Sequence, residues 1–188
     1  MAPGVRTDGR RGLPAGWLVQ PLLGCTGAHL SGPRRLSRRA SERRLGSGAL
    51  PLFNPDLEAL GPPGALAELR SRIISSHAVL IATPEYAHGV SAVLKNALDW
   101  IAGNESFVNK PVGLLNASPR ASIAQAALRE TLITMSARVV PAACVTVGIL
   151  RSGLGEEGIV RHPEISTALL EALRSLESVV QASVTTAV

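Results

Sequence analysis

The chain alternates between short, nearly continuous apolar runs and longer segments in which apolar residues return every three or four positions. Ala78-Val79-Leu80-Ile81-Ala82 and Pro111-Val112-Gly113-Leu114-Leu115-Asn116-Ala117 are runs of strand length. Continuous rather than alternating hydrophobicity is what a parallel strand covered on both faces requires. Between them, Val93, Leu94, Ala97, Leu98 and Ile101 recur at helical spacing, which predicts a helix over about 92–101 ended by Gly103 and Asn104. The same period appears over Ala65 to Ser75, on Leu66, Leu69, Ile73 and Ile74. It returns over Ile123 to Met135, on Ala126, Ala127, Leu128, Leu132 and Met135, and over Pro163 to Val180, on Ile165, Leu169, Leu173, Leu176 and Val180. Val139-Val140 and Ala143 to Ile149 read as the last strand. The segments 50–57, 83–91 and 118–122 read as loops, the first punctuated by Pro51 and Pro55. Helices alternating with apolar strands predict a doubly wound α/β fold, with 78–82 and 111–117 as parallel neighbours.

The first quarter has a different character. Residues 1–49 are rich in Arg, Gly, Pro and Ser. They read as an atypical basic segment, either disordered or a poorly formed first βα unit, ahead of a domain over 50–188. Residues 1–16 read as unstructured. Leu18 to Gly24 offers a short strand, and Pro21 argues against a central place for it. Leu36 to Leu45 has the length of a polar helix with a thin apolar face.

A length of 188 residues fits one domain, and 46% hydrophobic content with only 3% aromatic calls for an aliphatic core. The formal charge of +5 is unevenly spread. Nine arginines face Asp8 and Glu42 in residues 1–50, while ten basic and twelve acidic side chains share the remainder. A basic arm can bind nucleic acid. Here no aromatic residue interleaves with Arg34, Arg35, Arg38, Arg39, Arg43 and Arg44, so a base-stacking platform is missing and nucleic acid is not the expected partner. Cys25 and Cys144 make neither a metal spacing nor a disulfide framework, which fits a reducing cytoplasm. No apolar run reaches membrane-spanning length, and no continuous apolar core follows the basic residues at the amino terminus.

Candidate chemistry gathers where the predicted strands end. Open α/β sheets bind ligands in the crevice beyond the carboxyl ends of their strands. Thr83-Pro84-Glu85-Tyr86-Ala87-His88-Gly89-Val90 follows the 78–82 run, and Leu94-Lys95-Asn96-Ala97-Leu98-Asp99-Trp100 lies on the next helix. Pro84-Glu85-Tyr86 together with the second motif resembles the flavin-contacting loop of the NAD(P)H-dependent FMN reductases, a flavodoxin-like family. The resemblance is best over about 50–150. It implies a three-layer α/β/α sandwich holding FMN, reduced by NADPH or NADH. The electrons would pass to a small-molecule acceptor such as a flavin or a quinone, and the chain would form a homo-oligomer, dimer or tetramer. The rival reading is a family member that folds partly and binds flavin weakly or not at all.

Residue by residue, the resemblance places cofactor contacts on Pro84, Glu85, Tyr86 and Ala87, with Ala87 standing where family members usually carry asparagine. A second flavin loop falls on Ser118-Pro119-Arg120, where Ser118 is the best match and Arg120 is suited to a phosphate. Ser118 is equally well placed to cap the following helix. No side chain is assigned a catalytic role or a metal, because the isoalloxazine carries the redox step. His88 reads as a surface residue. Lys95, Asn96, Asp99 and Trp100 read as structural, tying their helix to neighbouring loops. In the family, a Gly-Ser-x-Arg loop cradles the FMN phosphate at the first helix N-terminus. Leu22 to Gly32 occupies that place and keeps small residues without the motif.

Overall fold

A computed structural model describes residues 17–21, 50–61, 63–149 and 152–186. Among these residues, four strands form one parallel sheet: β1 (Trp17–Pro21), β2 (Ala78–Ala82), β5 (Pro111–Asn116) and β6 (Arg138–Thr146). Their order is β1-β2-β5-β6. With β1 as the first strand, this corresponds to the 1-3-4-5 portion of the flavodoxin order. Strands 78–82 and 111–117 are parallel neighbours as expected, with Val79 opposite Val112 and Ala82 opposite Leu115. A two-stranded antiparallel hairpin, β3 (Glu85–Tyr86) and β4 (Gly89–Val90), stands apart from the sheet. The helices are α1 (Pro55–Ala59), α2 (Gly64–Ser75), α3 (Ala92–Ala102), α4 (Ser122–Thr134), α5 (Glu156–Arg161) and α6 (Pro163–Thr186).

The continuous hydrophobicity of the strands serves two cores. Val79, Ile81, Val112 and Leu114 pack under α2, α3 and α4, through Leu66, Leu69, Leu94, Leu98, Leu128 and Leu132 among others. Ala78 and Leu80, one residue out of phase, face α6 through Ala172, Leu176 and Val180, joined by Val140 and Ala143 of β6. Successive strand residues point to opposite faces, so both must be apolar when both faces are covered. The result is the expected α/β/α sandwich. Between β5 and β6 the register jumps: Val112 faces Val139 but Leu114 faces Cys144. Pro141 sits in that irregular stretch, the kind of place where a strand tolerates proline. Gly113 lies opposite, and a Cβ there would come within 2.9 Å of the Ala143 carbonyl oxygen. The bulge thus depends on a residue without a side chain.

Helix α3 is tethered along its length. The Asn96 amide accepts from the Phe53 N–H at 2.8 Å and donates to the Pro51 carbonyl at 2.9 Å. Trp100 is fully buried, donates from Nε1 to the same carbonyl at 2.8 Å, and meets the Phe53 ring edge-on at 5.1 Å. Arg70 of α2 donates to the Trp100 carbonyl and to Glu58 of α1. Lys95 and Asp99 pair on the exposed side at i,i+4. At the far, amino-terminal edge of the sheet, Lys110 donates to the carbonyls of Ile74 and Ser76, and burial lowers its pKa.

Several expectations need correction. Residues 55–57, read as the end of the 50–57 loop, open α1 (Pro55–Ala59): Asn54 caps it by accepting from the Asp56 N–H, and Pro55 starts it. Ile74 is 63% exposed, because Leu66, Leu69 and Ile73 already define the buried stripe of α2. On α4 the buried positions are Ala124, Leu128 and Leu132, while Ala126 and Ala127 face outward. The last strand is one element over Arg138–Thr146 and ends before Ile149. The hairpin and α5 were not expected. The readings made for residues 1–16, for the basic segment 31–49 and for a helix over Leu36 to Leu45 lie outside the described residues.

Candidate functional site

Parallel strands place their following loops on one edge. Those described are 83–91 after β2, 117–121 after β5 and 147–149 after β6. Each is fixed by short-range polar contacts.

The first loop leaves the sheet at Thr83 and returns at Ser91. Both are buried, and their hydroxyls meet at 3.2 Å, closing the base of the excursion. Within it, Tyr86 pairs with Gly89 across the hairpin. The turn residues Ala87 and His88 have φ of 48° and 59°. Two successive left-handed residues are the geometry of a type I′ hairpin turn, in which asparagine and glycine are favoured. Alanine has no such preference, so this conformation costs about 1–2 kcal/mol there. Ala87→Asn should therefore stabilise the protein by about 0.5–1 kcal/mol, because asparagine tolerates the left-handed region. Thermal and urea unfolding would check this, and a less stable variant would show that the turn is not held as described.

The second loop is organised by Asn116, the buried last residue of β5. Its Oδ1 accepts from the Ser118 N–H at 3.1 Å, and its Nδ2 donates to the Ala121 carbonyl at 3.2 Å and to Thr146 Oγ1 at 3.4 Å. The Ala121 N–H donates to the Ser118 carbonyl, closing a turn. Ser118 Oγ accepts from the Arg120 N–H at 3.3 Å. The third segment is laced to the second, since Val147 N–H donates to the Asn116 carbonyl and Ile149 N–H to the Ala117 carbonyl.

Glu85 ties the first loop to the helix that follows the second. Its Oε2 accepts from the backbone N–H of Ala124, in the first turn of α4, at 2.8 Å. Its Oε1 lies 3.2 Å from His88 Nδ1. The N-cap residue of α4, Ala121, makes no side-chain cap. A carboxylate 39 positions upstream therefore supplies what a capping serine or aspartate would.

The sequence pattern of the NADPH-dependent FMN reductase family matches residues 40–150, more than half of the chain. The chain belongs to this family. Among its relatives is an NAD(P)H-dependent FMN reductase of Pseudomonas aeruginosa, 31% identical over 68% of this chain and 72% of that one. A quinone reductase of Pseudomonas putida is 42% identical over 39% of this chain, which spans only 41% of that relative. The solved structure of the flavoenzyme NAD(P)H:(acceptor) oxidoreductase FerB from Paracoccus denitrificans superposes with a TM-score of 0.57. It covers 74% of this chain and 79% of its own at 24% identity, which speaks for the shared flavodoxin-like fold.

As a member of this oxidoreductase family, the chain brings the six residues singled out from its sequence to one edge. Pro84, Glu85, Tyr86 and Ala87 lie on the first loop, and Ser118 and Arg120 on the second. Their side chains are not equally free. The Glu85 carboxylate is occupied by Ala124 and His88, leaving its backbone for any ligand. Tyr86 is 61% exposed. Ser118 spends its N–H on Asn116 and a lone pair on Arg120 but keeps its hydroxyl proton for donation. Arg120 is exposed, and among the described residues its guanidinium makes no ion pair. His88 is a surface residue, as expected, at 75% exposure. Asn96 and Trp100 are structural, as their tethers to Pro51 show. The organisers Thr83, Ser91 and Asn116 were missed as such. Asparagine ending an apolar strand before Ser-Pro is a recognisable Asx-turn signal. The partnership of Thr83 with Ser91 has no comparable local sign. Leu22 to Gly32, the place of the phosphate loop, lies outside the described residues.

Proposed function

We propose that this chain holds FMN at the carboxyl edge of its sheet, accepts reducing equivalents from NADPH or NADH, and passes them to a small-molecule acceptor such as a flavin or quinone. The observation that carries this reading is the convergence of the 83–91 and 117–121 loops at the ends of adjacent parallel strands. Names of relatives, an FMN reductase and quinone reductases, support the same class of donor and acceptor.

The donor chemistry of the edge fits FMN. Ser118 offers a hydroxyl proton and Arg120 a guanidinium that is unpaired among the described residues, suited to carbonyl and phosphate oxygens respectively. Pro84 stiffens the first wall, and the exposed Tyr86 ring gives an apolar flank. The redox step itself is the chemistry of the isoalloxazine when bound, so these residues bind and orient rather than react. A domain boundary near Leu50, with β1 contributed from upstream, is part of the reading. So is a homo-oligomer, supported by the exposed Ile123 and Ile133 on α4. A cytoplasmic location rests on the cysteine content, and no helix among the described residues is long and apolar enough to cross a membrane.

Replacing Pro84 and Tyr86 together by alanine should weaken FMN binding at least about tenfold, equivalent to about 1.4 kcal/mol, without unfolding the protein. Flavin fluorescence titration of the folded variant tests this, and unchanged affinity would contradict the placement of the cofactor.

A further inference from the structure

We propose that Glu85 is a positioning residue that locks the hairpin and the 117–121 turn into a single rigid body. Calling these the walls of an FMN slot rests on the functional reading above; the lock itself rests only on geometry.

The hairpin packs against α4 and, through Val90, against the core, but its own hydrogen bonding is thin. Its strands are two residues each, and among the described residues it shares no hydrogen-bonded edge with the main sheet. An isolated two-stranded hairpin is marginal in water. Its turn residues are both left-handed, and Ala87 has no preference for that shape, so the turn does not hold itself. Something outside must hold it there.

Glu85 is placed to do this. Its side chain is 10% exposed although the hairpin lies at the surface. One carboxylate oxygen receives the Ala124 N–H, an otherwise orphaned donor at the start of α4. The other faces His88, on the strained turn. One side chain thus reaches from the hairpin to the helix that the Asn116-organised turn leads into. A carboxylate at a helix N-terminus is favoured by charge as well as by the hydrogen bond. Breaking this contact removes the hydrogen-bonded tie that fixes the hairpin on α4, leaving only apolar packing there, and leaves the main sheet and the strand cores untouched. Local release without global unfolding is therefore the expected signature.

Tyr86 is the only tyrosine in the chain and is adjacent to Glu85, so it reports on the lock directly. Protein labelled with 3-fluorotyrosine gives one fluorine resonance from the hairpin. Without added flavin, Glu85→Ala should broaden or shift that line, while the near-ultraviolet circular dichroism of the tryptophans stays as in the wild type. Glu85→Gln keeps an oxygen that accepts from Ala124 and should keep the wild-type line. An unchanged line in Glu85→Ala would overturn the lock, and so would an equal disturbance in Glu85→Gln. FMN titration then addresses its consequence. Glu85→Ala should bind FMN about tenfold more weakly than wild type and Glu85→Gln within about twofold. A disturbed line with unaltered FMN affinity would overturn the positioning role. If the wild type binds no FMN, the functional reading falls, and the fluorine line still decides the lock.

Discussion

Trp100→Ala should destabilise the protein by about 3–5 kcal/mol, the usual range for truncating a buried tryptophan. The side chain is fully buried in the core formed by α2, α3 and α4 against the sheet. Its loss opens a cavity and removes the edge-on contact with Phe53 and the hydrogen bond to the Pro51 carbonyl. That carbonyl keeps a second donor in Asn96 Nδ2, so it is not orphaned. Packing, not the hydrogen bond, must then dominate. Trp100→Phe separates the two: it retains most of the ring and should cost about 1 kcal/mol for the lost N–H donor, plus a smaller cavity penalty. Urea unfolding of both variants measures the difference. Equal losses would mean that the tether to Pro51 outweighs the filling of the core.

Asn116→Ala should cost about 2–3 kcal/mol and loosen the second loop selectively. The amide side chain serves the Ser118 N–H, the Ala121 carbonyl and Thr146 at once, from a buried position. Alanine leaves the half-buried Ser118 N–H and the buried Ala121 carbonyl without their partner, and that desolvation cost exceeds the net worth of any one bond. The turn keeps its backbone bonds from Val147 to Asn116 and from Ile149 to Ala117, so the strand ends stay joined. Hydrogen exchange should therefore accelerate at the Ser118 amide more than at Val147 or Ile149. Uniform acceleration would show that Asn116 supports the whole sheet edge rather than the loop.

Much of this architecture was legible in the residue pattern, for physical reasons that differ from element to element. Val79-Leu80-Ile81 is apolar at every position because both faces of β2 are covered, which a buried parallel strand requires. The face of α3 was legible because Leu94, Leu98 and Ile101 are large. That of α4 was not, because alanines carry little preference for burial, and only Leu128 and Leu132 decide its orientation. The hairpin was hidden because Ala87-His88 lacks the Asn-Gly signature that its geometry calls for. The bulge opposite Gly113 depends on a close approach across two strands, which no local pattern encodes.

The candidate site divides in the same way. The position of Pro84-Glu85-Tyr86 at a strand's carboxyl end follows from local pattern, as does the turn at Ser118-Pro119-Arg120. What Glu85 does there does not, because its partner is a backbone amide 39 residues away on helix α4. Side chains that organise a site across long sequence separations become visible only when the chain is folded.

The central claim is that this edge binds a flavin that nicotinamide can reduce. Purified protein loaded with FMN and freed of excess by gel filtration should retain the visible flavin band. Anaerobic addition of NADPH or NADH should bleach that band, and admitting a quinone should restore it. Protein that emerges without flavin absorbance, or that keeps its band unbleached by either nicotinamide, would contradict the account.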